Sequence, residues 1–211
     1  MVAYFNHLAN ALRLAHYQGV GALGNNCGPL PYAYRCRTID GGGMSASLSA
    51  SHTDPTMPYQ LAYYEPVGGT LRFAETTSSG NCGDGFWNCM QIDSLGAALS
   101  NPGVSLVQDA GGKPFIAYQR KNFAGYLELY LARRTPGGAS GVCTQTSAWA
   151  CKLVYSKSFL NDNVASFVSM GLNVHGKLQI AFDESDPSVA IYRYLDLAQE
   201  NSFGFLPAIQ K

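Results

Sequence analysis

The chain has 211 residues, with 14 basic against 14 acidic side chains, a formal net charge of zero and only 13% charged residues. That length can bury a substantial core as one domain or two small ones. The lack of a basic surplus or basic stripe argues against an electrostatic nucleic-acid binder, which must displace counterions from phosphates.

Met1 through His7 lack the basic start and apolar run of a signal peptide, and they match a hairpin found again further on. Val2–Ala15 is therefore expected to be a hairpin, although Asn6–His16 also has amphipathic helical spacing. Ser45–Ser49 follows as an apolar strand. Tyr59–Tyr64 alternates across two faces, Glu65–Gly69 is a turn by composition, and Leu71–Ala74 returns. Next come Cys82, Trp87-Asn88-Cys89 and the strand Val104–Val107. Asp109–Pro114 turns into Phe115–Tyr118, and Leu129–Ala132 pairs back. After Trp149-Ala150-Cys151 and Ala165–Ser169, the turn Asn173–Lys177 leads to a last hairpin at Leu178–Leu195. The 23 glycines, 13 tyrosines and 10 phenylalanines suit such an all-β chain, glycine serving turns and aromatics filling pleated surfaces.

These elements recur in a fixed order, which identifies a repeat architecture. An Ala-aromatic pair ends one strand at Ala3-Tyr4, Ala62-Tyr63, Ala117-Tyr118 and Ala181-Phe182, in steps of 59, 55 and 64 residues. The facing strand reads Leu12–Ala15, Leu71–Ala74 and Leu129–Ala132, with Ile191–Tyr194 as a degraded fourth copy. An aromatic stands two positions before a cysteine at Tyr34, Trp87 and Trp149. Ala62, Ala117 and Ala181 are expected at equivalent buried positions, with Trp87 and Trp149 between neighbouring sheets. The chain divides as a single domain, 1–211, into units of about 1–58, 59–114, 115–177 and 178–211.

Six cysteines allow 15 pairings, but repetition selects Cys27 with Cys36, Cys82 with Cys89, and Cys143 with Cys151. Zinc is the competing account, and the Cys-x-x-Cys knuckle with matching histidines is missing. Disulfides imply an oxidising compartment: extracellular, cell-surface or periplasmic. No stretch approaches the ~20 apolar residues of a spanning helix.

Four antiparallel strands per unit of this length is the pattern of a propeller blade. The units resemble the repeats of secreted bacterial β-propeller proteins, through Ile116-Ala117-Tyr118, Leu61-Ala62-Tyr63-Tyr64, Leu71-Arg72-Phe73-Ala74, Trp87 and Trp149. The resemblance reaches to about Leu197. It implies an all-β propeller-like array and secretion and transfers activity hardly at all; the cysteine couples read above make that array disulfide-stapled. The Ser-x-Asp-x-Gly-x-x-Trp box of the sialidase type is missing. About 14 strands, or 3.5 units, leave a half blade whose edges must be covered. The apolar tail Asn201–Ile209, another copy of the chain or a further propeller segment is expected to do so.

Candidate chemistry is thin. Asp183-Glu184-Asp186 could hold calcium, but reads as a solvated hairpin turn. Asp40 and Asp93 recur after isoleucine; paired carboxylates serve glycoside cleavage, whereas residues repeated once per unit usually satisfy backbone amides. His7, His16, His52 and His175 share no spacing, and Ser47 and Ser105 lack a nucleophile elbow. Arg13 and Arg72 share one repeat position. Arg35, Arg37, Arg120, Arg133, Arg134 and Arg193 are scattered, so convergence of three on a carboxylate is not legible. Tyrosine-rich strand ends offer platforms for glycan or protein ligands. The expected function is a non-catalytic extracellular module for binding or self-assembly, with no cofactor, metal or catalytic residue assigned. A sialidase-like carbohydrate-active enzyme is the alternative.

Overall fold

The computed structural model describes residues 1–20, 27, 32–50, 58–96, 99–135, 142–156, 163–186 and 189–197, which are almost entirely strands and tight turns. In chain order they are β1 Val2–Asn6, β2 Ala11–Val20, β3 Tyr32–Gly41, β4 Met44–Ser49, β5 Gln60–Glu65, β6 Thr70–Thr76, β7 Trp87–Ser94, β8 Val104–Gln108, β9 Pro114–Lys121, β10 Leu127–Arg134, β11 Val142–Cys143, β12 Thr146–Ser156, β13 Asn163–Leu172, β14 Leu178–Asp186 and β15 Val189–Leu197. All named pairings are antiparallel. They form four successive sheets in the orders β1-β2-β3, β4-β5-β6-β7, β8-β9-β10-β12-β11 and β13-β14-β15. Asn6–His16 is hairpin, not helix. The expected covering tail at 201–209 and His52 lie outside the described residues.

Short turns with local chemistry close the hairpins. Asp109 Oδ1 accepts the amides of Gly111 and Lys113, and Asn122 Oδ1 those of Ala124 and Tyr126. Asn173 Oδ1 accepts those of His175 and Lys177. Each turn then needs a left-handed residue, supplied by Gly112, Gly125 and Gly176. The repeat appears as matching rungs: Val2–Ala15–Cys36, Leu61–Ala74–Cys89 and Ile116–Ala132–Cys151 occupy the same place in the first three sheets.

The sheets stack face to face in sequence, with the core in three seams. Leu12, Leu14 and Ile39 of the first sheet pack on Leu61, Tyr63 and Trp87 of the second. Tyr64, Phe73 and Ile92 pack on Ile116, Tyr118 and Trp149. Ala117, Leu129 and Leu131 pack on Ile180 and Phe182. The leading strands are stitched side by side: Leu106 N donates to Ser47 Oγ at 2.9 Å, and Met170 N to Ser105 Oγ at 3.0 Å. Glycines permit close approach at the seams, since a Cβ on Gly83 would meet Thr38 O and one on Gly103 would meet Ala165 O.

Three disulfides, Cys27–Cys36, Cys82–Cys89 and Cys143–Cys151, staple the first three sheets. No helix among the described residues is long and apolar enough to cross a membrane.

Two expectations need correction. Ala62 and Ala117 are fully buried, but Ala181 is exposed. The reason is positional: Ala62 and Ala117 lie beneath the following sheet, and no described sheet follows the fourth. Asp183-Glu184-Asp186 is not a solvated turn either, because it forms the end of β14, and Glu184 is 1% exposed.

Candidate functional site

The recurring carboxylates and tyrosines meet across the seams. At the first seam Asp40, on β3, accepts from Tyr63 Oη at 2.5 Å and from the Arg72 guanidinium at 2.5 Å. At the second, Asp93 on β7 accepts from Tyr118 Oη at 2.7 Å, Arg120 at 3.1 Å, Thr144 N at 3.0 Å and Thr144 Oγ1 at 2.6 Å. Burial, with the hydrogen bond to Asp40, pushes the Tyr63 hydroxyl well above its ordinary range. Burial and the Asp93 charge do the same to Tyr118. The aspartates therefore act chiefly as clamps between sheets, with backbone amides as a secondary role.

The third seam exchanges the partners. Tyr155 takes the place of Asp40 and Asp93: it lies opposite Leu129, as they lie opposite Leu12 and Leu71. Phe182 replaces the tyrosine, and Glu184, two residues on, sits where the third sheet has Arg120. Tyr155 Oη donates to Glu184 Oε2 at 2.7 Å, with its ring 5.1 Å from that of Phe182. A hydroxyl–carboxylate bond spans all three seams, while the side that supplies each group changes.

The remaining candidates do not converge. Arg37, Arg72, Arg120 and Arg134 each face a different carboxylate, of Asp84, Asp40, Asp93 and Glu75. His7, His16 and His175 are exposed. Ser47 and Ser105 are the stitches already described. Asp183 accepts the Phe167 amide at 2.7 Å. No cluster of three or more metal-ligating side chains occurs among the described residues. A groove of about 580 Å³ runs beside the leading strands, bordered by Ser45, Asn101, Ser166, Phe167, Ala181 and Asp183. Asp183 is the single carboxylate among the described residues of its lining, whereas glycoside cleavage by the usual route uses two.

What the structure does present is two terminal sheet faces that no described sheet covers. The face that each later sheet turns to its predecessor, its rear face, buries Leu61, Tyr63, Ala74 and Trp87 in the second sheet and Ile116, Tyr118, Ala132 and Trp149 in the third, all fully. The first sheet carries Val2, Tyr4, Ala15 and Tyr34 in the same register. There Val2 is 60% exposed and the other three are half-buried. Tyr4 Oη meets a disulfide sulfur, Cys36 Sγ, at 3.5 Å where Tyr63 and Tyr118 meet a carboxylate. At the other end, Ser169 and Ala181 of the fourth sheet correspond to the Ser47/Ala62 and Ser105/Ala117 pairs, but both are exposed, beside a Phe167 that is 77% exposed. Sequence reasoning missed these faces because the exposed residues obey the same repeat as the buried ones; the substitutions of Val2 for Leu61 and Tyr34 for Trp87 were the available signal.

No family model matches the chain, and no curated protein or solved structure matches it significantly.

Proposed function

We propose that the chain is a non-catalytic extracellular β-propeller segment whose four sheets are blades, and that it acts by binding or assembly through the uncovered faces of its terminal sheets. The observation that carries this reading is the open rear face of the first sheet, which displays the residue set that the next two sheets bury against a predecessor. The face-to-face stacking and the side-by-side leading strands β4, β8 and β13 support a radial arrangement of blades. The disulfides support an oxidising compartment. The recurring carboxylates and several arginines are engaged in seams, which favours a scaffold over an active site.

The test compares equivalent positions. Val2→Arg and Tyr34→Glu should leave the unfolding midpoint of the dilute protein almost unchanged, whereas Leu61→Arg at the matching buried position should unfold it. Equal damage at Val2 and Leu61 would show that the chain seals its own rear face. The non-catalytic half is checked with chromogenic glycosides and sialosides. Turnover above background that disappears on replacing one carboxylate would overturn it.

A further inference from the structure

Resting on that reading, we propose that the occupant of each open face is a second copy of this chain, with the front face of the fourth sheet seated on the rear face of the first. The two faces are the halves of one seam. Inside the chain, the second seam shows the full pattern: a front face carrying a leading-strand serine and a small alanine meets a rear face carrying aromatics beside an alanine-containing rung. Ser47 with Ala62 and Ser105 with Ala117 provide the first half at the second and third seams. Ser169 with Ala181 repeats that half on the fourth sheet, with both residues uncovered.

Charge agrees with this pairing. Tyr4 lies opposite Arg13, as Tyr63 lies opposite Arg72. Arg72 is paired with Asp40 across the seam, while Arg13 makes no ion pair among the described residues. The rear face of the first sheet is thus a tyrosine–arginine pair without its carboxylate. On the fourth sheet, Asp183 stands on the rung that carries the seam acid elsewhere: Phe5–Leu12–Asp40 and Tyr64–Leu71–Asp93 correspond to Asp183–Tyr192. Asp183 is only partly buried and lies on the same side of the sheet as Ala181, two residues away. Docking would bring this acid to the side of Tyr4 and Arg13, placed inward of the Asp40 position by two strands.

Such a contact is heterologous, so it either closes into a ring or propagates. Two copies bring eight four-stranded or near-four-stranded sheets, at the upper end of the roughly four to eight blades that propellers close with. A closed ring of two copies is the assembly that this geometry favours.

Sedimentation of the full chain from about 1 to about 100 µM, concentrations suited to interfaces of ordinary size, should show twice the 22.6 kDa of one chain. Val2→Arg on the rear face and Ala181→Arg on the front face should each weaken the assembly by ~100-fold or more, as a charge forced into a closing seam does. Both positions are exposed, so circular dichroism should report an unchanged fold. Head-to-tail docking makes a further demand: Val2→Arg chains retain a good front face and Ala181→Arg chains a good rear face, so mixing the two should restore a heterodimer. Arg13→Asp should also dissociate the assembly, and adding Asp183→Arg to the same chain should recover it in part. A parent chain that stays monomeric, or a dimer that survives both face substitutions, overturns the inference. A monomeric parent leaves the comparison of Val2 with Leu61 intact, so its failure is separable from that of the functional reading.

Discussion

Replacing Asp93 by alanine tests the idea that polar clamps hold the sheets in register. The Asp93 side chain is 0% exposed and accepts from Tyr118, Arg120 and both the amide and hydroxyl of Thr144. Removal leaves two hydroxyls, an amide and a guanidinium facing a cavity; breaking a buried charged pair in this way costs about 3–5 kcal/mol. The Arg120 side chain is 20% exposed, so water relieves part of the loss and the lower end, about 3 kcal/mol, is expected. Tyr118→Phe removes one donor to a charged acceptor that keeps its other partners, for about 1.5 kcal/mol. In the double variant the losses should fall short of additivity by roughly 1 kcal/mol, because the tyrosine has already lost its acceptor. Urea unfolding of the four proteins measures the cycle. An Asp93→Ala loss below about 1 kcal/mol, or strict additivity, would refute the clamp.

Alkaline pH should loosen the same seams. Tyr63 and Tyr118 titrate above their unfolded value of about 10, so their contribution is intact below pH ~10. It is lost as pH rises from there toward their folded values, because the unfolded chain releases protons that the native chain keeps. The slope reaches at most about 1.4 kcal/mol per pH unit for each tyrosine; Tyr118→Phe should flatten it, and an equally steep fall in that variant would count against the mechanism. Ala117→Leu should overpack a fully buried site and cost about 1–3 kcal/mol. Ala181→Leu, at the exposed equivalent, should stay within about 0.5 kcal/mol in dilute solution; equal losses would show that the fourth sheet is covered. Replacing Cys82 and Cys89 by alanine should lower stability by about 2–3 kcal/mol, from the entropy of the short loop they close. Peptide mapping without reductant checks that bond first, and free thiols there would contradict it.

The hairpins and cysteine couples were legible because each is local and each recurs. Cys82 and Cys89 are seven positions apart, so a repeat that places them alike leaves little choice of partner. The phase of the repeat was not legible. Met44–Ser49 closes a unit when the pattern is counted from the first hairpin, yet it pairs with Gln60–Glu65 and opens the second sheet. A periodic pattern carries no mark of its origin; pairing fixes it. The clamps were hidden for another reason. Tyr63 and Tyr118 reach aspartates 23 and 25 positions earlier, in a different sheet. Their arginine partners also come from different places: Arg72 lies opposite Tyr63, while Arg120 follows Tyr118 on its own strand. Nor could Ala181 be told from Ala117, since exposure depends on whether another sheet follows.

The residues on the open faces bear on whether those faces ever meet water. A sealed seam gains most from large apolar side chains, and the second and third sheets duly place Leu61, Ile116, Trp87 and Trp149 there, all fully buried. The first sheet uses Val2 and Tyr34 in those registers, one smaller and one with a polar tip. The fourth sheet keeps the serine and alanine of the buried copies, as Ser169 and Ala181, and sets Asp183 where Tyr64 and Gln119 stand. The exchanges at Val2, Tyr34 and Asp183 lower the cost of exposure. Hydrophobic contact alone is also indifferent to which sheet docks. Register and partner choice need the polar pairs, as the exchanged Tyr155–Glu184 bond illustrates by preserving the connection while reversing its donors. On the proposed docking, a face with weakened apolar contact and a tyrosine–arginine pair that lacks its acid would suit a reversible partner, selected by the acid that partner carries.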